Sequence, residues 1–446
     1  MNRRGRHGIA RATVVAALLA FLLAAPPLAA QQAAAPAVVA IVGGTVHTMG
    51  DAGTLEGATV VLRDGRVAAV GSGVEPPPGA TVVDARGKVV TPGLFDSFTR
   101  IGLVEISAVG ASDDAETDLD RVTAAFRVAD ALNPASTLVA VNRVEGLTRA
   151  LVVPGADGAL IAGQAAVVQL GAGLDDGPAG MVVRAPAAMY AVLGEEGAEM
   201  AGGSRAAALL VLREALQDAR DYASNRAAFE RGERRPYALS RLDLEALAPV
   251  AAGELPLLVA ADRASDLLAA VRFAEEEGLR LVLAGAAEGW MVADALAAAG
   301  VPVLLQPLAN LPASFESLGA TLANAARLHA AGVPVALMSG DSHNARNLRQ
   351  DAGNAVAWGL PWHAALAAMT TVPARIWGLE GSYGRIEPGY EADVVVWDGD
   401  PLELTTYPEH VFIRGEEMPR DSRQIRLRDR YLDLPEDGEL PPAYRP

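Results

Sequence analysis

Apolar and polar positions follow two different rhythms along this chain. From 38 to 90 the apolar runs are short and broken by tight turns: VAIVGGTVHTM, then ATVVLRDGRVAAVG, then ATVVDARGKVV. Asp64-Gly65 sits at a two-residue hairpin position, where both residues must take positive φ. Runs of this kind predict a small sheet. The same rhythm returns in GRIEPGYEADVVVWDGDPL and HVFIRG. One β-sandwich domain is therefore expected from residues 31–90 and 379–417, with a large domain, 91–378, inserted between its halves. Residues 418–446 follow as a charged, proline-containing tail.

Between 91 and 378 strands alternate with helices. GLTRALVVPG and AAVVQL read as strands with a turn at Ala162-Gly163-Gln164, and an Arg-rich helix with a solvated face follows over about 204–232. The clearest stretch runs from Leu255 to Pro312. Leu257 to Ala260 form a strand. Ser265 caps a helix with Leu267, Leu268, Val271 and Ala274 on one face, and Gly278 ends it. Leu281 to Leu283 make a second strand, a helix through Val292 and Leu296 ends at Gly300, and Val301 to Leu305 make a third. GVPVALMSGD repeats the unit, and Pro361 opens a helix through Met369. Repeats of this length imply parallel strands with right-handed crossovers, as a closed barrel or an open sheet.

Charge and composition narrow the function. At 446 residues and 51% apolar content, the chain has enough core for one large and one small domain. A net charge of −17 argues against a nucleic-acid partner. Residues 1–30 have the layout of a secretory signal: Arg3, Arg4, Arg6 and Arg11, then ATVVAALLAFLLAA, then Pro26, Pro27 and small residues. That run is too short for a comfortable membrane span. A periplasmic or secreted protein is expected, with no span after cleavage. With no cysteine, disulfides, thiolate ligands and a cysteine nucleophile are excluded.

The ordered segments TPGLFD, GLTRALVVPG, GELPLLVAADRASDLL, LVLAGAAEGW, GVPVALMSGDS, ALAAMTTVPARIWGL and GRIEPGYEADVVVWDGDPL resemble the imidazolonepropionase-like branch of the amidohydrolase superfamily over about 39–415. The resemblance implies a (β/α)8 TIM barrel flanked by the small β-sandwich. It also implies hydrolysis of carbon–nitrogen bonds other than peptide bonds, such as cyclic amides. In the family one or two zinc ions at the barrel mouth acidify a water, with histidines as ligands and a last-strand carboxylate as proton acceptor.

Few of those groups carry over. Where the family has PGLID-x-H-x-H, this chain has Phe98 and Arg100. A phenyl ring has no lone pair and a guanidinium stays protonated, so neither binds a cation. The family's H-A-H-R corresponds to Ala260-Ala261-Asp262-Arg263, and E-H-A-T-E-G to Ala284 through Gly289. Ala260 and Gly285 thus stand where imidazoles would be. Asp341 matches the last-strand aspartate and is the candidate catalytic residue. The only lysine, Lys88, lies in the small domain, so a carboxylated-lysine bridge cannot form.

Phe98, Arg100, Ala260, Asp262, Gly285 and His343 are accordingly expected to line a pocket at former ligand positions, with no metal. Asp96, Asp262 and Asp341 offer an alternative site for magnesium or calcium, disfavoured by Arg100 and Arg263 in the same stretches. Asp113, Asp114, Glu116, Asp118 and Asp120 lack EF-hand spacing and read as a solvated acidic loop. Of six histidines, only His343 falls near a strand end, and Ser342-His343 lacks a G-x-S-x-G turn. Arg100 is expected to neutralise Asp341 or Asp262 by a salt bridge. Two functions stay open: a hydrolase with an altered site, or a non-catalytic exported binding or scaffold protein. Either takes a small-molecule substrate or ligand at the mouth, and a homo-oligomer is compatible with the sequence.

Overall fold

The computed structural model describes residues 38–432 except 118, 120, 121 and 157. The leader assigned to 1–30 lies outside the described residues, as do Asp118, Asp120 and the tail beyond Leu432. Among the described residues no helix is long and apolar enough to cross a membrane.

The first sheet gathers β1 (Val39–His47), β2 (Thr54–Arg63), β3 (Arg66–Gly71), β4 (Thr81–Asp84) and β5 (Val89–Pro92) from one end of the chain. Its other strands come from the far end, and β5 pairs antiparallel with Val394–Trp397. The Asp64-Gly65 hairpin is present, with φ of 53° and 75° and Arg63 opposite Arg66. Ile41, Val46, Val60, Leu62, Val90, Val394, Val396 and Phe412 fill the core of this unit; Val60 and Leu62, like Val394 and Val396, come from alternate positions, while register irregularities in β1 between Val42 and Val46 turn both Ile41 and Val46 inward.

The second sheet also has eight strands, in sequential order. They are β6 (Leu94–Thr99), β7 (Leu147–Val152), β8 (Ile161–Gln169), β9 (Val182–Val192), β10 (Leu257–Ala261), β11 (Leu281–Gly285), β12 (Val303–Leu305) and β13 (Val335–Leu337). The first sheet is completed by β14 (Val394–Trp397), β15 (Pro408–Ile413) and β16 (Glu416–Glu417). Sequential order and packed helices make the second sheet a TIM-type barrel. Between β13 and β6 the seam is filled by chain, not by a ladder. Leu337 N–H donates to the Ala368 carbonyl and Phe95 N–H to that of Met369, at 2.9 and 2.8 Å.

One strand departs from the all-parallel pattern. β8 is antiparallel to both β7 and β9, so β7 and β8 form a hairpin with no crossover helix. The turn expected at Ala162-Gly163-Gln164 is instead inside β8, and the chain reverses over 153–160. Gly163 takes φ 131° at an irregularity in the β8–β9 register. A glycine within a strand marks a bulge as readily as a turn, which is why the two readings compete in sequence.

Smaller corrections concern helix ends. The helix Ala264–Glu277 begins before Ser265, whose hydroxyl accepts from Arg263 Nε at 2.7 Å; Gly278 does end it, at φ 67°. The helix from Pro361 stops at Ala367, and a separate one runs Thr371–Ile376. The break frees the Ala368 and Met369 carbonyls that fill the seam. In the tail, Arg423–Leu432 is helical.

Barrel and sandwich are tied by Arg149 on β7. It is fully buried and ion-paired to Asp393 (2.8 Å) and to Glu391. Beside it Tyr383 donates to the Gly93 carbonyl at 2.6 Å. A buried cation paired with two carboxylates holds its partners in register.

Candidate functional site at the barrel mouth

Strands β6, β7 and β9–β13 deliver their C-terminal ends to one face of the barrel, and Phe98, Ala260, Gly285 and Asp341 all lie there or in the loops beyond. Phe98 and Ala260 point into the lumen, packed on the cluster of Phe95, Leu151, Tyr190, Leu258, Val282 and Leu304. The Phe98 and Tyr190 rings meet edge to face, 5.3 Å between centroids, a favoured geometry for aromatic pairs. Burial, then the Glu196 charge, pushes the Tyr190 phenol well above its ordinary range. Phe98 and Ala260, two positions where the resemblance implies imidazoles, thus form an apolar plug.

At Gly285 the space for a side chain is already taken. Its φ is 89°, and a Cβ added there would lie 2.6 Å from Asp262 Oδ1. Asp262 reaches across from the end of β10 to accept the Ala287 N–H at 3.0 Å. Burial, with Glu288 nearby, raises its carboxyl above the usual range.

Arg100 does not neutralise Asp341 or Asp262. It pairs with Glu116, Nη1 to Oε2 3.7 Å, a residue read from sequence as part of a solvated acidic loop. Glu116 lies against Gly155, where an added Cβ would be 2.0 Å from Oε2, and Gly155 N–H donates to the Ala115 carbonyl at 2.8 Å. The 153–160 reversal, a product of the antiparallel β8, is what brings Glu116 to the arginine.

Asp341 is satisfied by its own loop. Its Oδ1 accepts the N–H groups of His343 (2.8 Å) and Asn344 (3.1 Å), and Oδ2 accepts Asn344 Nδ2 at 3.2 Å. Burial works to raise its carboxyl, but the N–H donors of Asn344 and His343 outweigh it and leave the group below the usual range. Thr99 Oγ1 and Asn142 Nδ2 pin the same loop through the carbonyls of Asp341 (2.5 Å) and Ser342 (2.8 Å). No cation is needed to hold this carboxylate, because oriented N–H groups stabilise the ionised form.

Asp96 is fully buried. Its Oδ1 accepts the N–H groups of Ser339 (3.0 Å) and Phe98 (3.1 Å), and Ser339 Oγ donates to Oδ2. Burial dominates these bonds, so the carboxyl is pushed up to about 7. Its role is to bridge the first and last strands at the seam.

His343 is exposed, and its Nε2 accepts from Arg346 Nη1 (3.1 Å) and lies 3.0 Å from Gln424 Nε2 on the tail helix. Arg100, Asp341 and His343 line a cavity of 450 Å³ with Glu105, Asp113 and Ser342. Among the described residues no three His, Asp or Glu side chains are placed to hold a metal ion. Zinc does not fit: the first-strand positions hold a packed ring and a paired guanidinium, β10 offers a methyl group, β11 has no room for a ring, and Asp341 is engaged by N–H donors. The magnesium or calcium alternative fails on geometry, since Asp96, Asp262 and Asp341 each turn to separate backbone donors.

A family model for the amidohydrolase family matches residues 207–419. The amidohydrolase tasK of Hapsidospora irregularis is 27% identical over 374 residues, 76% of this chain. The chain spans only 37% of that relative's length. A crystal structure of an amidohydrolase from Thermotoga maritima superposes with a TM-score of 0.77 at 28% identity, covering 86% of this chain and all of the other. Phenylurea hydrolase B, at 19% identity and TM-score 0.54 over 86% of this chain and 97% of its own, shares the fold. With the barrel, the flanking sheet and the ordered motifs all in place, the chain belongs to the amidohydrolase superfamily.

Proposed function

We propose that this chain is an exported protein of the imidazolonepropionase-like branch in which the mouth binds a small molecule without the zinc centre. The observation that carries this reading is the replacement of every imidazole position by a group that cannot coordinate and is already engaged: Phe98 on Tyr190, Arg100 on Glu116, Ala260 in the lumen and Gly285 over Asp262. Retention of a 450 Å³ cavity beside the plug, with Arg100, Asp341 and His343 on its wall, supports a ligand there. The arginine-flanked apolar run of residues 1–30 supports export.

A second reading keeps the family chemistry, hydrolysis of a cyclic amide or related carbon–nitrogen bond. It is favoured by Asp341, whose ionised carboxylate faces the cavity. No step through a metal follows from these residues. The two separate in a screen of lactams, hydantoins and dipeptides against the mature protein, read by both calorimetry and product analysis. Saturable binding without turnover, abolished by Ser342→Trp, bears out the binding reading. Product formation that requires added zinc overturns it.

A further inference from the structure

The floor of the barrel, where the strands begin, carries an arrangement the mouth does not use. We propose that Arg184, Arg280 and Arg375 form a binding site for a phosphate group in the cleft beneath β9–β13. Arg184 and Arg280 line one part of the cleft, 240 Å³, with Pro186, Pro249 and Trp377; Arg280 and Arg375 line an adjoining part, 390 Å³.

Two observations converge. First, none of the three guanidiniums has a carboxylate within ion-pair distance among the described residues, although Arg149, Arg205, Arg213 and Arg220 are all matched to acids in a chain of net charge −17. Glu254 and Glu275 also line the cleft without pairing to them. Second, two of the three are oriented without being neutralised. Arg184 Nη1 donates to the Trp377 carbonyl at 2.6 Å, and Arg280 Nη1 to the Glu254 carbonyl at 3.0 Å. Each keeps other N–H groups free, and the Arg375 guanidinium has no hydrogen-bond partner among the described residues.

Planar guanidinium forks match a tetrahedral oxyanion with several acceptor oxygens. The proline and aliphatic walls leave room for more than the phosphate itself, so the anion is inorganic phosphate or the phosphate end of a small metabolite.

Calorimetric titration of the mature protein with inorganic phosphate and with glycerol 3-phosphate, against chloride at equal ionic strength, tests this. Saturable binding is expected with a dissociation constant on the order of 1 mM for such an open site. Arg375→Gln removes no hydrogen bond or ion pair among the described residues and weakens binding about tenfold. Arg272→Gln, outside the cleft, leaves binding unchanged. Tighter binding of glycerol 3-phosphate supports use of the apolar wall; equal binding supports recognition of the phosphate alone. No saturable heat beyond chloride, wild-type affinity in Arg375→Gln, or equal loss in Arg272→Gln overturns the site.

Discussion

At the mouth, Arg100 leans on Glu116 and Asp341 takes its hydrogen bonds from the turn that follows it; at the floor, Arg184 and Arg280 hold neutral carbonyls and the Arg375 guanidinium has no partner among the described residues. Mouth charges are thus answered inside the protein, and floor charges are left to solvent. The contrast inverts what α/β barrels lead one to expect, since the strand C-termini are the usual place for unanswered polar groups and the N-terminal face serves stability. What differs is the filling. A ring, a methyl group and a displaced carboxylate occupy the mouth, so the charges that remain there must be balanced at short range.

The contrast can be broken hardest at the plug. Phe98→Ala opens a gap beside Tyr190 and is expected to lower stability by about 2–3 kcal/mol in denaturant unfolding, without creating a metal site. A loss under ~0.5 kcal/mol would mean that the ring is not packed as described. Gly285→His should cost about 2 kcal/mol, because a residue with a Cβ must hold positive φ and displace Asp262. Zinc-dependent stabilisation of that variant would show that the imidazole position is still usable.

A smaller effect belongs to the seam. Asp96 is pushed up to about 7 by burial, and an unfolded aspartate titrates near ~4. Between those values the folded chain holds the extra proton, so this contribution falls as pH rises, by up to ~1.4 kcal/mol per pH unit, and is fully lost above the folded value. Asp351, pushed up to about 6 by burial, acts in the same direction. Asp96→Asn should flatten the decline and raise stability by ~1–2 kcal/mol at about pH 8 relative to the parent; an unchanged pH profile would contradict this. Smallest is Arg375→Gln, expected to alter stability by less than ~0.5 kcal/mol while weakening phosphate binding.

Much of the fold was legible because periodicity and turn chemistry agree. Asp64-Gly65, Gly278 and Gly300 stand where the sequence puts a turn or a helix end, each at positive φ. The inverted β8 was not legible. Its run IAGQAAVVQ is buried almost throughout, as a barrel strand's would be in either direction, and direction depends on whether a helix or a hairpin precedes it. That one reversal also explains the missed salt bridge, since it places Gly155 and Glu116 beside Arg100. At the site, alignment of motifs could place Phe98, Arg100, Ala260 and Gly285 at the positions where the resemblance implies imidazoles. Tyr190 and Ser339, which pack on Phe98 and Asp96, carry no signal of their own and become visible only when the barrel closes.

Metal stoichiometry of the purified mature protein tests the plugged mouth most directly, measured by plasma mass spectrometry after exposure to zinc and dialysis without chelator. A mouth closed by Phe98, Arg100, Ala260 and Gly285 predicts retention below ~0.1 zinc per chain. Retention of about one or two zinc ions per chain, lost on Asp341→Ala, would contradict it.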